Sequence, residues 1–187
     1  GFRMLICPIQ DRIPIYLATL KSRAVRQTGE IADGWLPTHV SVRNIETSRA
    51  PLVAGANEAG RDPLEIDMAA LTLVACSDDG ETARALCREH LAYYIGGMGS
   101  FYHELMHGYG YGEVADRIQS AWRNGNRAGA ADVIPRDVLD DLVVAGNPAE
   151  CLAAIDARRD AGISHLVVFP PHNVSPELFV RTIEAIA

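Results

Sequence analysis

Short apolar runs alternate along the chain with longer stretches in which apolar positions recur at helical spacing. Runs that are bounded by turn residues and are too short for helices predict buried strands. The predicted strands are residues 13–18, 35–37, 68–75 and 165–169. Consecutive parallel strands need a crossover connection, which is usually a helix, so the alternation predicts an α/β fold. We expect the four strands to be parallel and to neighbour one another in chain order.

Capping residues mark where several of the predicted helices begin. A helix over residues 147–161 is indicated by Asn147 at its N-cap and Glu150 three positions later. By the same spacing, Asp78 predicts a helix that begins directly after the third strand. Residues 97–164 keep helical periodicity and contain no predicted strand. We interpret them as a helical extension that precedes the last strand.

The length limits how many strand–helix units the chain can hold. A closed eight-stranded (β/α) barrel typically needs about 250 residues. This chain has 187 residues and four predicted units, and we treat residues 1–187 as a single domain. Two architectures are compatible with this count: a small open α/β sheet, or one half of a barrel.

Composition excludes some classes of partner. The chain carries 17 Lys and Arg against 24 Asp and Glu, which gives a net charge of −7. Nucleic-acid binding requires clustered basic residues, so no nucleic-acid partner is expected. No apolar run approaches the roughly 20 residues that span a membrane, so we expect no membrane association. The scattered cysteines are predicted to be mostly core thiols and suggest a reducing, cytoplasmic setting. They are Cys7, Cys76, Cys87 and Cys151.

Three segments together carry a resemblance to a known family. They are residues 8–37 (PIQDRIPIYLATLKSRAVRQTGEIADGWLP), residues 93–99 (YYIGGMG) and the segment from Ala131 to Gly146 with its Asp140-Asp141 pair. In this order they resemble the luciferase-like monooxygenase family, and within it the oxidoreductases that depend on the deazaflavin coenzyme F-420. The resemblance extends over nearly the whole chain.

The resemblance implies a fold and an activity. Members of the family are (β/α)8 barrels, and this chain resembles the second half, with its first strand equivalent to the family's fifth. The implied reaction is hydride transfer between coenzyme F-420, or FMN, and a small organic substrate. We therefore expect the C-terminal half of a protein about twice as long, with the catalytic residues mostly in the other half. Association with a second copy, or with a separate N-terminal half, would cover the open sheet. A half-barrel without catalysis is the alternative.

The resemblance also implies a site for the cofactor's phosphate. In a (β/α) barrel the functional residues follow the carboxyl ends of the strands, and a helix N-terminus there suits an anion. The family usually has Gly-Pro where this chain has Lys21 and Ser22, so a lysine ammonium replaces a close backbone approach. An ordinary turn with a solvated lysine is the competing interpretation. The predicted cofactor-binding residues are Thr19, Leu20, Lys21 and Ser22.

Polar residues that follow two other predicted strands are candidates for the substrate side. They are Thr38 and His39 after the second strand, and His172 after the last. His39 and His172 are expected to face the mouth of a barrel. Polar residues at strand ends are commonly helix caps or loop residues, so this alternative stays open.

One further motif suggests a different chemistry. His103, Glu104 and His107 form the H-E-x-x-H pattern, in which two histidines on one helix face bind zinc and the glutamate acts as a base. Glu113 has the spacing of a third ligand. However, the glycines between residues 108 and 112 weaken a helix by about 1 kcal/mol each relative to alanine. We therefore expect no metal and keep a zinc hydrolase as the less favoured alternative.

Overall fold

The computed structural model describes residues 9–187, and this part of the chain forms five strands and nine α-helices. The strands are β1 (Tyr16–Leu17), β2 (Gly34–Trp35), β3 (Asp67–Cys76), β4 (Val144–Gly146) and β5 (His165–Phe169). The helices are α1 (Ser22–Ile31), α2 (Ile45–Glu58), α3 (Glu81–Gly97), α4 (Phe101–Gly108), α5 (Gly112–Arg123), α6 (Arg127–Asp132), α7 (Arg136–Leu142), α8 (Pro148–Asp160) and α9 (Pro176–Ile186). A short 3-10 helix, Pro63–Glu65, precedes β3.

The sheet is parallel at every described strand pair, which confirms the predicted α/β fold class. β1 pairs with β2, and β2 pairs with the start of β3. β5 pairs with the middle of β3, from Ala69 opposite His165 to Leu73 opposite Phe169. The four predicted strands therefore neighbour one another in the expected order. Along residues 9–187 the sheet is an open ladder that does not close into a barrel.

The local sequence predicted the limits of some strands better than those of others. β5 has the predicted limits, and β3 extends one residue further at each end. The first strand was predicted over residues 13–18, but only Tyr16–Leu17 pairs. Ile13 and Ile15 are 64% and 63% exposed, so the prediction that they are buried is wrong. The amide of Ile15 donates to the carboxylate of Asp33 at 2.8 Å, in place of a ladder bond.

β4 was missed by the sequence analysis, which treated residues 97–164 as helical without interruption. The region does contain five helices, but Val144–Gly146 forms a strand between α7 and α8. It pairs with the carboxyl end of β3, with Cys76 opposite Gly146. Three residues are too few to show a periodicity of two, and their pairing depends on a partner distant in sequence.

Helix caps were predicted with mixed success. α8 begins with a complete capping box, since Asn147 Oδ1 accepts from the Glu150 amide at 3.0 Å and Glu150 accepts from the Asn147 amide at 2.8 Å. The N-cap predicted at Asp78 is wrong. α3 begins at Glu81, after Gly80 in the left-handed conformation at φ 71°. A turn over residues 77–80 occupies the predicted first turn of that helix.

The core surrounds β3, which is buried on both faces over most of its length. Helices α3 to α7 pack against one side, whereas α1 and α2 pack closely together on the other part of the sheet. Cys76, Cys87 and Cys151 are buried free thiols, and Cys7 lies outside the described residues. None of the described helices is both long enough and apolar enough to cross a membrane.

Candidate functional site

A pocket of about 350 Å³ lies beside the N-terminus of α1. Three segments that are distant in sequence enclose it: the loop after β1, the first turns of α2, and one face of α4. We call it the α1 pocket, and its lining residues are Leu20, Lys21, Ser22, Asn44, Thr47, Ser48, Phe101, Glu104, Leu105, Gly108 and Tyr109. Hydroxyl, amide and ammonium groups on one wall thus face apolar and aromatic side chains on the other.

The backbone of α1 makes this pocket suitable for an anion. Lys21 is the N-cap residue and has extended backbone angles, φ −79° and ψ 135°, which any residue adopts without strain. Its carbonyl accepts the first helical bonds, from the amides of Ala24 and Val25. The amides of Ser22 and Arg23 precede these and have no helical carbonyl to bond. The first turn also holds no acidic residue, so the helix dipole is not neutralised there.

Lys21 supplies a positive charge at the same place. Its Nζ lies 3.7 Å from Glu104 Oε2 across the pocket and 5.6 Å from the centre of the Phe101 ring. Both charged side chains are more than half exposed, so their ion pair is weak and can be exchanged for another anion. The ammonium is therefore available to a ligand at the cost of releasing Glu104.

A second group of side chains lies at the carboxyl ends of β2 and β5. We call it the histidine cluster; it comprises His39, His90 and His172 with Tyr94, Tyr102 and Phe169 around them. The His90 ring stacks on Tyr94 at 4.7 Å, and its Nδ1 accepts from the amide of His172 at 3.2 Å. Tyr102 of α4 joins this cluster to the α1 pocket, because its neighbour Phe101 lines that pocket.

Burial keeps His39 and His90 of this cluster in the neutral form. His39 is 3% exposed, and both of its ring nitrogens lack a hydrogen-bond partner in the described part of the protein. Burial, with a smaller effect from His90, lowers the pKa of His39 to about 3. Burial and the proximity of His172 lower the pKa of His90 to about 4. Both rings are therefore neutral at pH 7 and can hydrogen-bond but carry no charge.

We expect stability to fall as the pH is lowered from 7 towards 4, in part because of His39. The pKa of His39 is lower in the folded protein than in the unfolded chain. Its contribution to the free energy of unfolding is therefore complete above about pH 6.5 and is lost as the pH falls towards the folded-state pKa. In His39→Asn the slope of the free energy of unfolding against pH should decrease by up to about 1.4 kcal/mol per pH unit. Asparagine tolerates the left-handed backbone that His39 adopts at φ 50°. Denaturant unfolding measured at several pH values provides the slope.

His165→Asn is the matched control for this measurement, because it makes the same substitution at a histidine that is exposed on β5. Its slope should equal that of the wild type. An equal change of slope in both variants would show that burial of His39 does not determine the pH dependence.

The predicted cofactor and substrate residues occupy two places. Leu20, Lys21 and Ser22 line the α1 pocket, whereas Thr19 faces away from it. The Thr19 carbonyl accepts from the Trp35 indole at 2.7 Å, and its hydroxyl lies 3.0 Å from that of Thr28.

Of the substrate-side candidates, His172 is exposed and His39 is buried beneath tyrosine rings. Thr38 is half-buried and forms an isolated bridge with Leu71.

Several site residues were missed because they come from distant helices. Asn44, Thr47 and Tyr109 line the α1 pocket, but nothing in their local sequence indicates that they meet Lys21. His90 was also missed, since it occupies an apolar stripe of α3 where a histidine has no distinctive spacing. Glu104 was the pocket residue with a usable signal, because the H-E-x-x-H motif brought it to attention for another reason.

The H-E-x-x-H residues are separated by the fold. His103 and His107 face α5, where Asp116 Oδ1 lies 2.8 Å and 3.1 Å from their Nε2 atoms. Glu104 lies on the α1 pocket side, opposite Lys21. The acidic residue grouped with the two histidines is Asp116, whereas Glu113 is the residue whose spacing fits the extended motif.

Comparison with known proteins gives a consistent result. The model of the family described as luciferase-like monooxygenase matches residues 1–165. A Mycobacterium tuberculosis protein, named provisionally a coenzyme F-420-dependent oxidoreductase, is 30% identical over 86% of this chain and 48% of its own length. The 5,10-methylenetetrahydromethanopterin reductase of Methanolobus tindarius is 25% identical over 91% of this chain and 52% of its own.

A solved structure agrees with these sequence matches. The coenzyme F-420-dependent tetrahydromethanopterin reductase of Methanopyrus kandleri superimposes with a TM-score of 0.76 and 25% identity. The match covers 93% of this chain and 49% of that one. The chain thus spans about half the length of the curated relatives that it matches.

Proposed function

Because this chain belongs to the luciferase-like monooxygenase family, we propose that it is part of an oxidoreductase that binds coenzyme F-420, with FMN as the alternative cofactor. The names of the relatives favour the deazaflavin. We further propose that residues 1–187 are one domain, equivalent to the second half of the (β/α)8 barrel. Matches that cover about half of each relative support this proposal.

The α1 pocket is the observation that supports cofactor binding most directly. Both candidate cofactors carry a phosphate group on the chain attached to their ring system. The unpaired amides at the start of α1, the Ser22 hydroxyl and the Lys21 ammonium are donors suited to such a phosphate. The extended backbone at Lys21 shows that glycine is not required for this turn. The donor set therefore fits the phosphate in spite of the departure from the family's Gly-Pro.

The proposed reaction divides between cofactor and protein. The bound ring system would accept or donate the hydride, and the protein would bind and orient it. Lys21 and the α1 amides would hold the phosphate and so fix one end of the cofactor. Leu105 and Phe101 would exclude water from the opposite wall of the pocket. The substrate would be a small organic molecule.

We assign the substrate side to the carboxyl ends of β2 and β5, where Thr38, His39 and His172 lie. His172 is exposed and is the member of the three best placed to contact a substrate. His39 is neutral at pH 7, so it would orient neighbouring groups and would not donate a proton as an imidazolium. Its two ring nitrogens are buried and have no hydrogen-bond partner in the described part of the protein.

The alternatives have less support. Zinc hydrolysis would require Glu104 beside the metal, but this carboxylate faces Lys21 across the α1 pocket. If the chain is a half-barrel without catalysis, we expect neither cofactor to bind. The cofactor-binding experiment described next therefore distinguishes this alternative.

The test uses the fact that Lys21 is the only lysine in the sequence. An amine-selective acylating reagent, followed by mass spectrometry, therefore reports on this side chain, and the chain's α-amino group serves as an internal reference. We expect coenzyme F-420 to slow acylation of Lys21 and not of the reference. In fluorescence titrations Lys21→Glu should weaken cofactor binding about tenfold or more, since it replaces attraction by repulsion. FMN is titrated in parallel.

Arg159→Glu provides the control because it makes the same charge change on α8, where Arg159 pairs with Asp156 at the surface. It should bind the cofactor as the wild type does. Equal loss in both variants would indicate a general charge effect. Unaltered acylation with no fluorescence change for either cofactor would contradict the proposal and favour the half-barrel without catalysis.

A further inference from the structure

His103, His107 and Asp116 form a compact group on the surface between α4 and α5, which we call the His-His-Asp group. The two histidines are one helical turn apart, and their ring centres are 4.6 Å from each other. Both Nε2 atoms point at the same oxygen, Asp116 Oδ1, at 2.8 Å and 3.1 Å. One ligand atom from each of the three residues lies within 4.8 Å of the others.

The turn between the helices creates this arrangement. Gly110 has a φ of 83°, in the left-handed region, and this allows α5 to fold back beside α4. At Gly112 an added Cβ would lie 2.5 Å from His107 Nδ1, so the absence of a side chain makes room for the ring. The glycines that weakened the motif in sequence therefore bring its third member into place.

The side chains are also held in position before any ligand binds. His103 is 17% exposed, which restricts its ring, and His107 packs against the start of α5. The Asp116 carboxylate lies within hydrogen-bond distance of both rings, which restrains its orientation. An open pocket lined by His107, Glu113 and Asp116 adjoins the group and leaves space for water.

We propose that His103, His107 and Asp116 bind one zinc-class divalent cation, which joins α4 to α5. Two imidazole nitrogens and one carboxylate oxygen form a ligand set that zinc accepts, with water in the fourth position. Bonds of about 2.0–2.1 Å place tetrahedral ligand atoms about 3.3 Å apart. The two separations between histidine and Asp116 ligand atoms, 2.8 Å and 3.1 Å, are slightly shorter than this, and all three ligand atoms lie within 4.8 Å of one another.

This site is structural and not hydrolytic. Glu104, which would be the base of the motif, faces Lys21 and lies away from the three ligands, so the arrangement of a zinc hydrolase is not formed. The ion would stabilise the position of α4, whose opposite face carries Phe101, Glu104 and Leu105 of the α1 pocket. Metal binding itself requires only the His-His-Asp group and does not depend on the proposed oxidoreductase activity.

The experiment measures zinc alone, in the Cys7→Ser background so that the cysteine outside the described residues does not contribute. Isothermal titration calorimetry should give one zinc per chain, and zinc should raise the midpoint of thermal unfolding. Replacement by Co²⁺ should produce visible absorption typical of four-coordinate cobalt. His103→Ala and the near-isosteric Asp116→Asn should each weaken binding at least tenfold and abolish the shift in unfolding midpoint.

The control is His165→Ala, which removes a different histidine that also lies near a carboxylate, since His165 Nδ1 lies 3.8 Å from Asp67 Oδ1. This variant should retain the full stoichiometry. The proposal is overturned if the wild-type background binds no zinc at micromolar concentrations, or if His103→Ala and Asp116→Asn bind zinc as it does.

Discussion

Asp141→Ala is expected to lower the free energy of unfolding by about 3–5 kcal/mol, because it removes a buried carboxylate that accepts three hydrogen bonds and leaves their donors without this partner. Asp141 is 5% exposed. Its Oδ2 accepts from the hydroxyls of Ser41 at 2.5 Å and Tyr111 at 2.7 Å, and its Oδ1 accepts from the amide of Arg43 at 2.9 Å. The carboxylate thus joins the segment after β2, the start of α5 and α7. Chemical denaturation followed by circular dichroism measures the loss.

The adjacent Asp140 provides the matched control. It lies at the surface, where its carboxylate accepts from Arg136 Nε at 2.7 Å, and such exposed pairs contribute little. Asp140→Ala should therefore change the free energy of unfolding by less than about 1 kcal/mol. Similar losses in the two variants would show that the buried hydrogen bonds of Asp141 do not stabilise the protein as described.

Gly29→Ala is expected to destabilise the protein by about 3 kcal/mol, at the upper end of the cost of overpacking. α1 and α2 cross at two glycines, with backbone against backbone. An added Cβ at Gly29 would lie 2.1 Å from the Leu52 carbonyl oxygen, and one at Gly55 would lie 2.0 Å from the Arg26 oxygen. Backbone atoms cannot rotate away as side chains do, so the helices must separate. Thermal and denaturant unfolding of the variant measure the cost.

Gly108→Ala is the comparison for this change. Gly108 ends α4, and a Cβ there would meet nothing within 4 Å. Alanine at a helical position without crowding should be neutral or stabilise by up to about 1 kcal/mol. If Gly29→Ala were equally well tolerated, the close helix crossing would not be a constraint on this fold.

Features determined by neighbouring residues could be predicted from the sequence. The capping box of Asn147 and Glu150 involves residues three apart, and β5 is bounded by turns on both sides. β4 could not be predicted because Val144–Gly146 becomes a strand only when Cys76 and its neighbours are beside it. The prediction that Ile13 and Ile15 are buried failed for a different reason. An apolar run in the sequence does not indicate which part of the protein covers it.

In the candidate site, too, the residues that could be predicted depend on local sequence, and those that were missed depend on contacts between distant segments. The rule that parallel strands end at functional loops identified Lys21 and Ser22. The opposite wall of the pocket, with Asn44 and Tyr109, depends on how α2 and α4 pack. Asp116 lies nine residues beyond His107, on a separate helix, and only the turn at Gly110 makes it a neighbour of both histidines. Association of the open sheet with another chain stays a prediction.

The pairing of β3 with β5 has a consequence for synthesis of the protein. Met68 and its hydrogen-bond partner Ser164 are 96 residues apart, so one edge of the central strand has no partner while that intervening length is translated. An unpaired strand edge rich in alanine and leucine is prone to associate with other chains. Ribosome-bound chains that end before residue 165 should therefore depend most on chaperones. This dependence should decrease once β5 has emerged from the ribosome.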